Sequence, residues 1–276
     1  MMDIYYLNTQ GEKIDFLSDD YSLQTGDLFD YGWEYQDEGE NEISRFKKAI
    51  TEKKLLFSFR GESKENCYKN LNRFIAVTES DILKKEPGRL YVGEYYMSCY
   101  IVRGEMSDWE LDYGCIDCEC TIVTDTPVWI REITKRFYRE IDTERADHDL
   151  DFPYDFPHDV KRTPGSAYLE NDHYAPCEFS VIIYGPCESP RITINNQPRQ
   201  VFTSVEKNEY LTIDSKKKTI IRTREDGTTV NEFNHRQKYP AASIFEKIVT
   251  GINTVTYTGL TFDLKIFQER SEPEWI

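Results

Sequence analysis

Residues 151–159, Asp-Phe-Pro-Tyr-Asp-Phe-Pro-His-Asp, constrain the fold of this chain more than any other stretch. Pro153 and Pro157 fix φ and drive the residues before them out of helical geometry. Phe152, Tyr154 and Phe156 carry apolar area that a freely flexible linker avoids. The segment therefore predicts a stiff connector that docks against a domain and separates residues 1–150 from residues 151–276. Its neighbourhood, His148, Asp149, Asp151, Asp155, His158 and Asp159, also permits a metal-site reading. No spacing among these residues matches a calcium loop or a zinc helix, so the structural linker is the reading carried forward.

Composition differs across this connector. Residues 1–149 hold 19 Lys and Arg against 32 Asp and Glu, a net of −13, whereas residues 150–276 hold 15 against 18, a net of −3. So negative a first half repels phosphate backbones and anionic lipid, which disfavours nucleic-acid binding as a grip. With 276 residues and 14% aromatics, each half has enough apolar material for a core of its own. The N-terminus lacks a basic, apolar signal-peptide pattern, and no stretch approaches the roughly 18 apolar residues of a membrane span. An odd set of seven cysteines suits free thiols in a reducing compartment, so synthesis in a cytoplasm without membrane insertion is expected.

Periodicity predicts a mainly β chain with an α+β first half. Ile4–Leu7 and Ile14–Leu17 flank Gly11 as a hairpin, Glu34 to Glu42 reads as a solvated acidic loop, and Lys54–Phe59 as a strand. One helix follows, capped by Ser63, with Cys67, Leu71, Phe74, Ile75, Thr78 and Ile82 on its apolar face, Lys84-Lys85 at its end, and Pro87-Gly88 as the stop. Leu90–Val92, Tyr95–Val102 and Cys120–Thr124 then read as strands covered by that helix. In the second half, strands are predicted at Phe179–Tyr184, Arg191–Ile194, Gln200–Thr203, Leu211–Ile213, Thr219–Ile221 and Leu260–Ile266, with a turn at Asp226-Gly227. Six or more short strands within about 110 residues predict a β-sandwich.

Several constellations permit chemistry. Cys115, Cys118 and Cys120 form a dense thiol cluster, but a structural zinc needs four ligands. On a strand, Cys118 and Cys120 share a face and Cys115 points elsewhere, so semi-buried thiols are the plainer reading. The pairs Asp149/Asp151 and Glu170/Asp172 are expected by abundance alone, and His148, His158, His173 and His235 lack a local triad partner. No catalytic residue, metal or cofactor is predicted. Trp109, Trp129 and Tyr257 invite sugar stacking, although aromatics also fill sandwich cores.

The order of pieces over the whole chain resembles the distal tail protein family of phages with long, non-contractile tails. The resemblance rests on Leu83-Lys-Lys-Glu-Pro-Gly-Arg-Leu-Tyr-Val92 with Tyr95-Tyr96, on Asp151–Pro157, and on Ile182-Ile-Tyr-Gly-Pro186 with Pro190. It continues through Glu209–Asp214, Ile244-Phe245 leading to Gly251, and Glu269–Trp275. It implies an N-terminal β-rich belt domain with one helix, closing into a homo-hexameric ring, followed by a galectin-like β-sandwich. It implies a structural, non-enzymatic role in the virion tail, joining the tail tube to the baseplate or tail tip. Implied partners are the tail tube protein, a tail-associated hub or lysin protein and a receptor-binding protein, with DNA passing through the lumen unbound. A lectin-like, carbohydrate-binding adhesion protein is the alternative.

Overall fold

The computed structural model describes residues 3–37, 42–110, 115–139, 166–238 and 243–274. The chain divides into two compact units, Met1–Arg131 with Glu269–Ile276, and Glu132–Gln268. The connector residues Phe152, Pro153, Tyr154, Phe156 and Pro157 lie outside the described residues.

The first unit is built from β1 (Ile4–Leu7), β2 (Lys13–Asp15), β3 (Tyr21–Gly26), β4 (Glu34–Asp37), β5 (Ile43–Lys47) and β6 (Thr51–Arg60). Then come α1 (Lys64–Lys84), β7 (Gly88–Val92), β8 (Tyr95–Glu110), β9 (Cys115–Thr124) and the first residues of β10 (Trp129–Phe137). The hairpin predicted around Gly11 is present, with Tyr6 opposite Ile14. Strand β8 serves two sheets. Its residues 95–99 pair with β7, which carries β1 and β2, and residues 100–110 pair with β9, which carries β6 and β3. A register shift at Ile101/Arg103 falls just after the strand changes partner, and a second at Met106/Asp108 lies within its pairing with β9.

Helix α1 covers these sheets. The Ser63 side chain accepts from Asn66 N–H at its start, as expected, and Lys85, in the left-handed region with φ of 59°, closes its end. Its buried stripe is Cys67, Phe74, Val77, Thr78 and Asp81, whereas Ile75 and Ile82 stand on the rim, 36% and 37% exposed. The expected apolar face is thus rotated. Asp81 belongs in the core because its carboxylate takes hydrogen bonds from Tyr6 and Thr9, and that fixes which side of α1 faces inward.

The acidic segment expected to be a loop opens as structure. Strands β4 and β5 form an antiparallel ribbon that carries Tyr35 directly opposite Phe46. Cross-strand aromatic pairing outweighs the local abundance of carboxylates.

The second unit holds the rest of β10, then β11 (Ser166–Asn171), β12 (Glu178–Tyr184), β13 (Cys187–Glu188), β14 (Arg191–Ile194), β15 (Gln197–Gln200) and β16 (Ser204–Val205). It continues with β17 (Tyr210–Asp214), β18 (Thr219–Thr223), β19 (Thr229–Asn231), β20 (Gly251–Tyr257) and β21 (Thr261–Arg270). One sheet runs β19-β18-β17-β12-β21-β10 and the other β11-β20-β14-β15. Alternating inward residues fill the space between: Phe179, Val181 and Ile183 face Phe262, Leu264 and Ile266 in one sheet, with Ile192, Ile194, Leu169 and Val255 from the other. This is the predicted sandwich. Gly227, at φ of 81°, makes the expected β18–β19 turn. The strand expected at residues 200–203 lies three residues earlier, at Gln197–Gln200, because Asn195 and Asn196, at φ of 49° and 64°, form a two-residue hairpin turn after Ile194.

Candidate functional site

Among the residues singled out for chemistry, the structure distributes most of them as packing. Cys118 and Cys120 share a face of β9 with Sγ atoms 3.8 Å apart, both buried, while Cys115 is only half-buried. This contact, together with burial, pushes the Cys120 thiol up. Trp129 is fully buried with its ring 6.3 Å from that of Phe29, so it is unavailable to a sugar face. Tyr257 packs edge-on against Phe262 at 5.0 Å and donates its hydroxyl to the Tyr138 carbonyl at 3.1 Å. The side chain of Trp109 and the residues His148, Asp149, Asp151, Asp155, His158 and Asp159 lie outside the described residues. Among the described residues no three His, Cys, Asp or Glu side chains gather to hold a metal.

Polar side chains of the second unit form two structural clusters. Arg222 bridges two carboxylates, donating to Glu209 at 2.9 Å and to Glu232 at 2.8 Å, and His235 Nδ1 lies 2.5 Å from Glu232. Burial raises the Glu232 pKa, but hydrogen bonds from Arg222, His235 and Thr203 outweigh it and hold the carboxyl below its usual range. In the second cluster Arg136 grips Asp263 with two bonds of 2.6 and 2.7 Å, and Tyr184 donates to the same carboxylate at 2.8 Å. Arg136 above all, then Tyr184, lowers the Asp263 pKa. Asp172 accepts from Gln268 at 2.5 Å, and His173 is buried with its ring 4.1 Å from that of Tyr174.

The surface with the clearest functional character is the β4–β5 ribbon. Tyr35 and Phe46 are 65% and 59% exposed, and Trp33 stands two residues before Tyr35 on the same face at 52%. The register shift after Gln36 sets Ile43 opposite Asp37, which extends this apolar face along the ribbon. The other face is polar, with Glu34 and Lys47 paired at 3.1 Å and Gln36 opposite Arg45. The base of the ribbon is pinned on both sides. On one side, buried Lys53 donates to the carbonyls of Asp27 and Asp30. On the other, Lys48 donates to Pro127 O and Ser271 Oγ at 3.0 Å each and lies 4.8 Å from the Trp33 ring. The reading of residues 34–42 as solvated acidic surface missed this site, although the Trp33-x-Tyr35 alternation signals it.

No family model and no curated protein matches the chain. Solved structures do. The crystal structure of the phage SPP1 Dit protein, described as a paradigm of the hub adsorption apparatus in phages infecting Gram-positive bacteria, superposes with a TM-score of 0.60 at 8% identity. That match covers 98% of this chain and 99% of the other. A chain of the phage P2 baseplate in its activated conformation with Ca gives 0.61 at 12% identity, over 99% of this chain and 100% of that one. The corresponding structure with Sr gives 0.60 at 13%, with the same coverage. The fold implied by the family resemblance is therefore the fold present: from end to end, this chain has the fold of phage Dit hub and baseplate proteins.

Proposed function

We propose that this chain is a distal tail protein, a structural component that closes into a hexameric ring between the tail tube and the baseplate or tail tip. The observation that carries this reading is coverage: the likeness to hub and baseplate chains takes in both units and nearly the whole length of each partner. A ring built from the first unit leaves the galectin-like sandwich, built on the second unit, Glu132–Gln268, on its periphery, where it anchors host-adhesion components. Phe152–Pro157, read from the sequence as the joint, falls inside the span of the second unit. The partners are the tail tube protein, a hub or tail-associated lysin and a separate receptor-binding protein, and the location is the distal virion tail after synthesis in the bacterial cytoplasm. No catalytic step is assigned.

The acidity of the first half, net −13 over residues 1–149, supports a lumen through which DNA slides without sticking. Light scattering and negative-stain microscopy of the purified chain over a range of concentrations test the assembly. A six-fold ring with a central hole is the expected result. A strict monomer that binds immobilised glycans would overturn it in favour of the lectin alternative.

A further inference from the structure

Sulfur chemistry with no role so far assigned is concentrated where β8 pairs with β9. Cys118 and Cys120 are free thiols with Sγ atoms 3.8 Å apart, and the register sets Met106 directly opposite Cys118 and Gly104 opposite Cys120. Directly opposed side chains share a face of the sheet, so one thioether and two thiols stand together on the face that also bears Leu55 and Phe57 of β6.

A donor set of three sulfurs selects its ion by softness. No three His, Cys, Asp or Glu side chains gather among the described residues, which leaves zinc without its ligands, whereas thiolate and thioether sulfur is the set that suits Cu(I). With metal–sulfur bonds of about 2.3 Å, three sulfurs around a trigonal ion stand about 4 Å apart. The two thiols already hold 3.8 Å. Gly104 keeps the approach open, since a Cβ there would come within 3.2 Å of Cys118 Sγ. Both thiols are buried and Met106 is 44% exposed, so Met106 is the ligand that closes over an ion arriving from the β8 side.

We propose that Cys118, Cys120 and Met106 form a three-sulfur site for a single Cu(I) ion that fastens β8 to β9. Binding releases the two thiol protons and forms three copper–sulfur bonds, with no change of oxidation state. The place suits a fastener. Residues 102–106 are exposed at every position, and the register shifts at Ile101/Arg103 and Met106/Asp108 interrupt the pairing on either side. A metal bound across the two strands holds the short stretch Arg103–Met106 in register between those shifts, because its binding free energy adds to that of the fold.

The test uses the full chain, reduced and kept free of oxygen, with Cu(I) alone as the probe. One Cu(I) per chain should be retained against a chromophoric Cu(I) chelator, with X-ray absorption showing three sulfur neighbours. Met106→Leu is close in volume and partly exposed, so the fold stays intact. It should lower the sulfur count to two and weaken retention by more than the roughly tenfold that loss of an outer-shell partner costs. Gly104→Ala, which leaves all three sulfurs in place, should weaken retention as well. A wild-type chain that yields all its copper to the chelator overturns the proposal. Copper held equally well after Cys118→Ser with Cys120→Ser also overturns it, since the ion would then sit on the partly accessible Cys115 or Cys187. An unchanged sulfur count and affinity in Met106→Leu overturns the three-sulfur assignment.

Discussion

The Tyr6 hydroxyl donates to Asp81 Oδ2 at 2.6 Å, joining strand β1 to helix α1 across 75 residues of chain with neither side chain exposed to solvent. Burial, then the bond to Asp81, pushes the Tyr6 pKa up, so the phenol stays protonated and remains a donor. Asp81 Oδ1 accepts from the Thr9 amide at 2.9 Å and its hydroxyl at 2.7 Å, which completes the carboxylate's partners. Tyr6→Phe leaves Oδ2 buried without its donor and should destabilise the chain by about 1–3 kcal/mol in urea titration. Gly88→Ala should do at least as much, because a Cβ there would overlap both Tyr6 Oη and Asp81 Oδ2. The double variant should cost less than the sum, since removing the hydroxyl relieves part of the overlap.

Arg222 holds two carboxylates whose side chains are only 11% and 2% exposed. Arg222→Ala removes the donor shared by both carboxylates and should lower the urea midpoint measurably, with His235 still beside Glu232. The pH dependence follows from the direction of the shifts. Glu209, Glu232 and Asp263 all have folded-state pKa values below the ordinary carboxylate range. Their contribution is full above the unfolded carboxylate value of about 4 and is lost as pH falls through the lower folded values. Urea midpoints measured from pH 7 to pH 3 should hold steady down to about pH 5 and then drop, and Arg222→Ala should flatten that drop. A midpoint that rises on acidification would contradict the assignment.

Five of the seven cysteines are buried, and only Cys115 and Cys187 are partly accessible. Burial pushes the Cys99 thiol up to about 12. A thiol reagent at neutral pH should therefore react with at most two groups in the native chain and with all seven in denaturant. Rapid labelling of Cys118 or Cys120 in the native chain would show that β9 opens more readily than its packing indicates.

The connector carries its own prediction. Replacing Phe152, Tyr154 and Phe156 together by Ser removes the apolar area proposed to dock, and cleavage between residues 145 and 165 should accelerate under limited proteolysis. Unchanged protease resistance would count against docking.

Local chemistry was legible wherever one residue type forces one geometry. Ser63 capped α1, Pro87-Gly88 followed its end, Gly227 made its turn, and alternation along Phe179–Ile183 and Phe262–Ile266 placed both strands in a sandwich core. Shared-face logic likewise put Cys118 and Cys120 together, expected as semi-buried thiols and found buried. The sequence also marked the order of pieces that resembles distal tail proteins, and the fold agrees. Tertiary structure decided what depends on partners distant in the chain. The rotation of α1 is set by Tyr6 and Thr9 reaching Asp81, and no helical period can reveal a hydrogen bond made 75 residues away. The exposure of Tyr35 and Phe46 is equally non-local: alternation marks them as apolar, but only the finished first unit, with no strand or helix laid over that face of the ribbon among the described residues, leaves them in solvent. The return of residues 269–276 to the first unit follows from β21 continuing past Gln268, because a strand's length depends on the neighbours that pair with it, which its own residues do not specify.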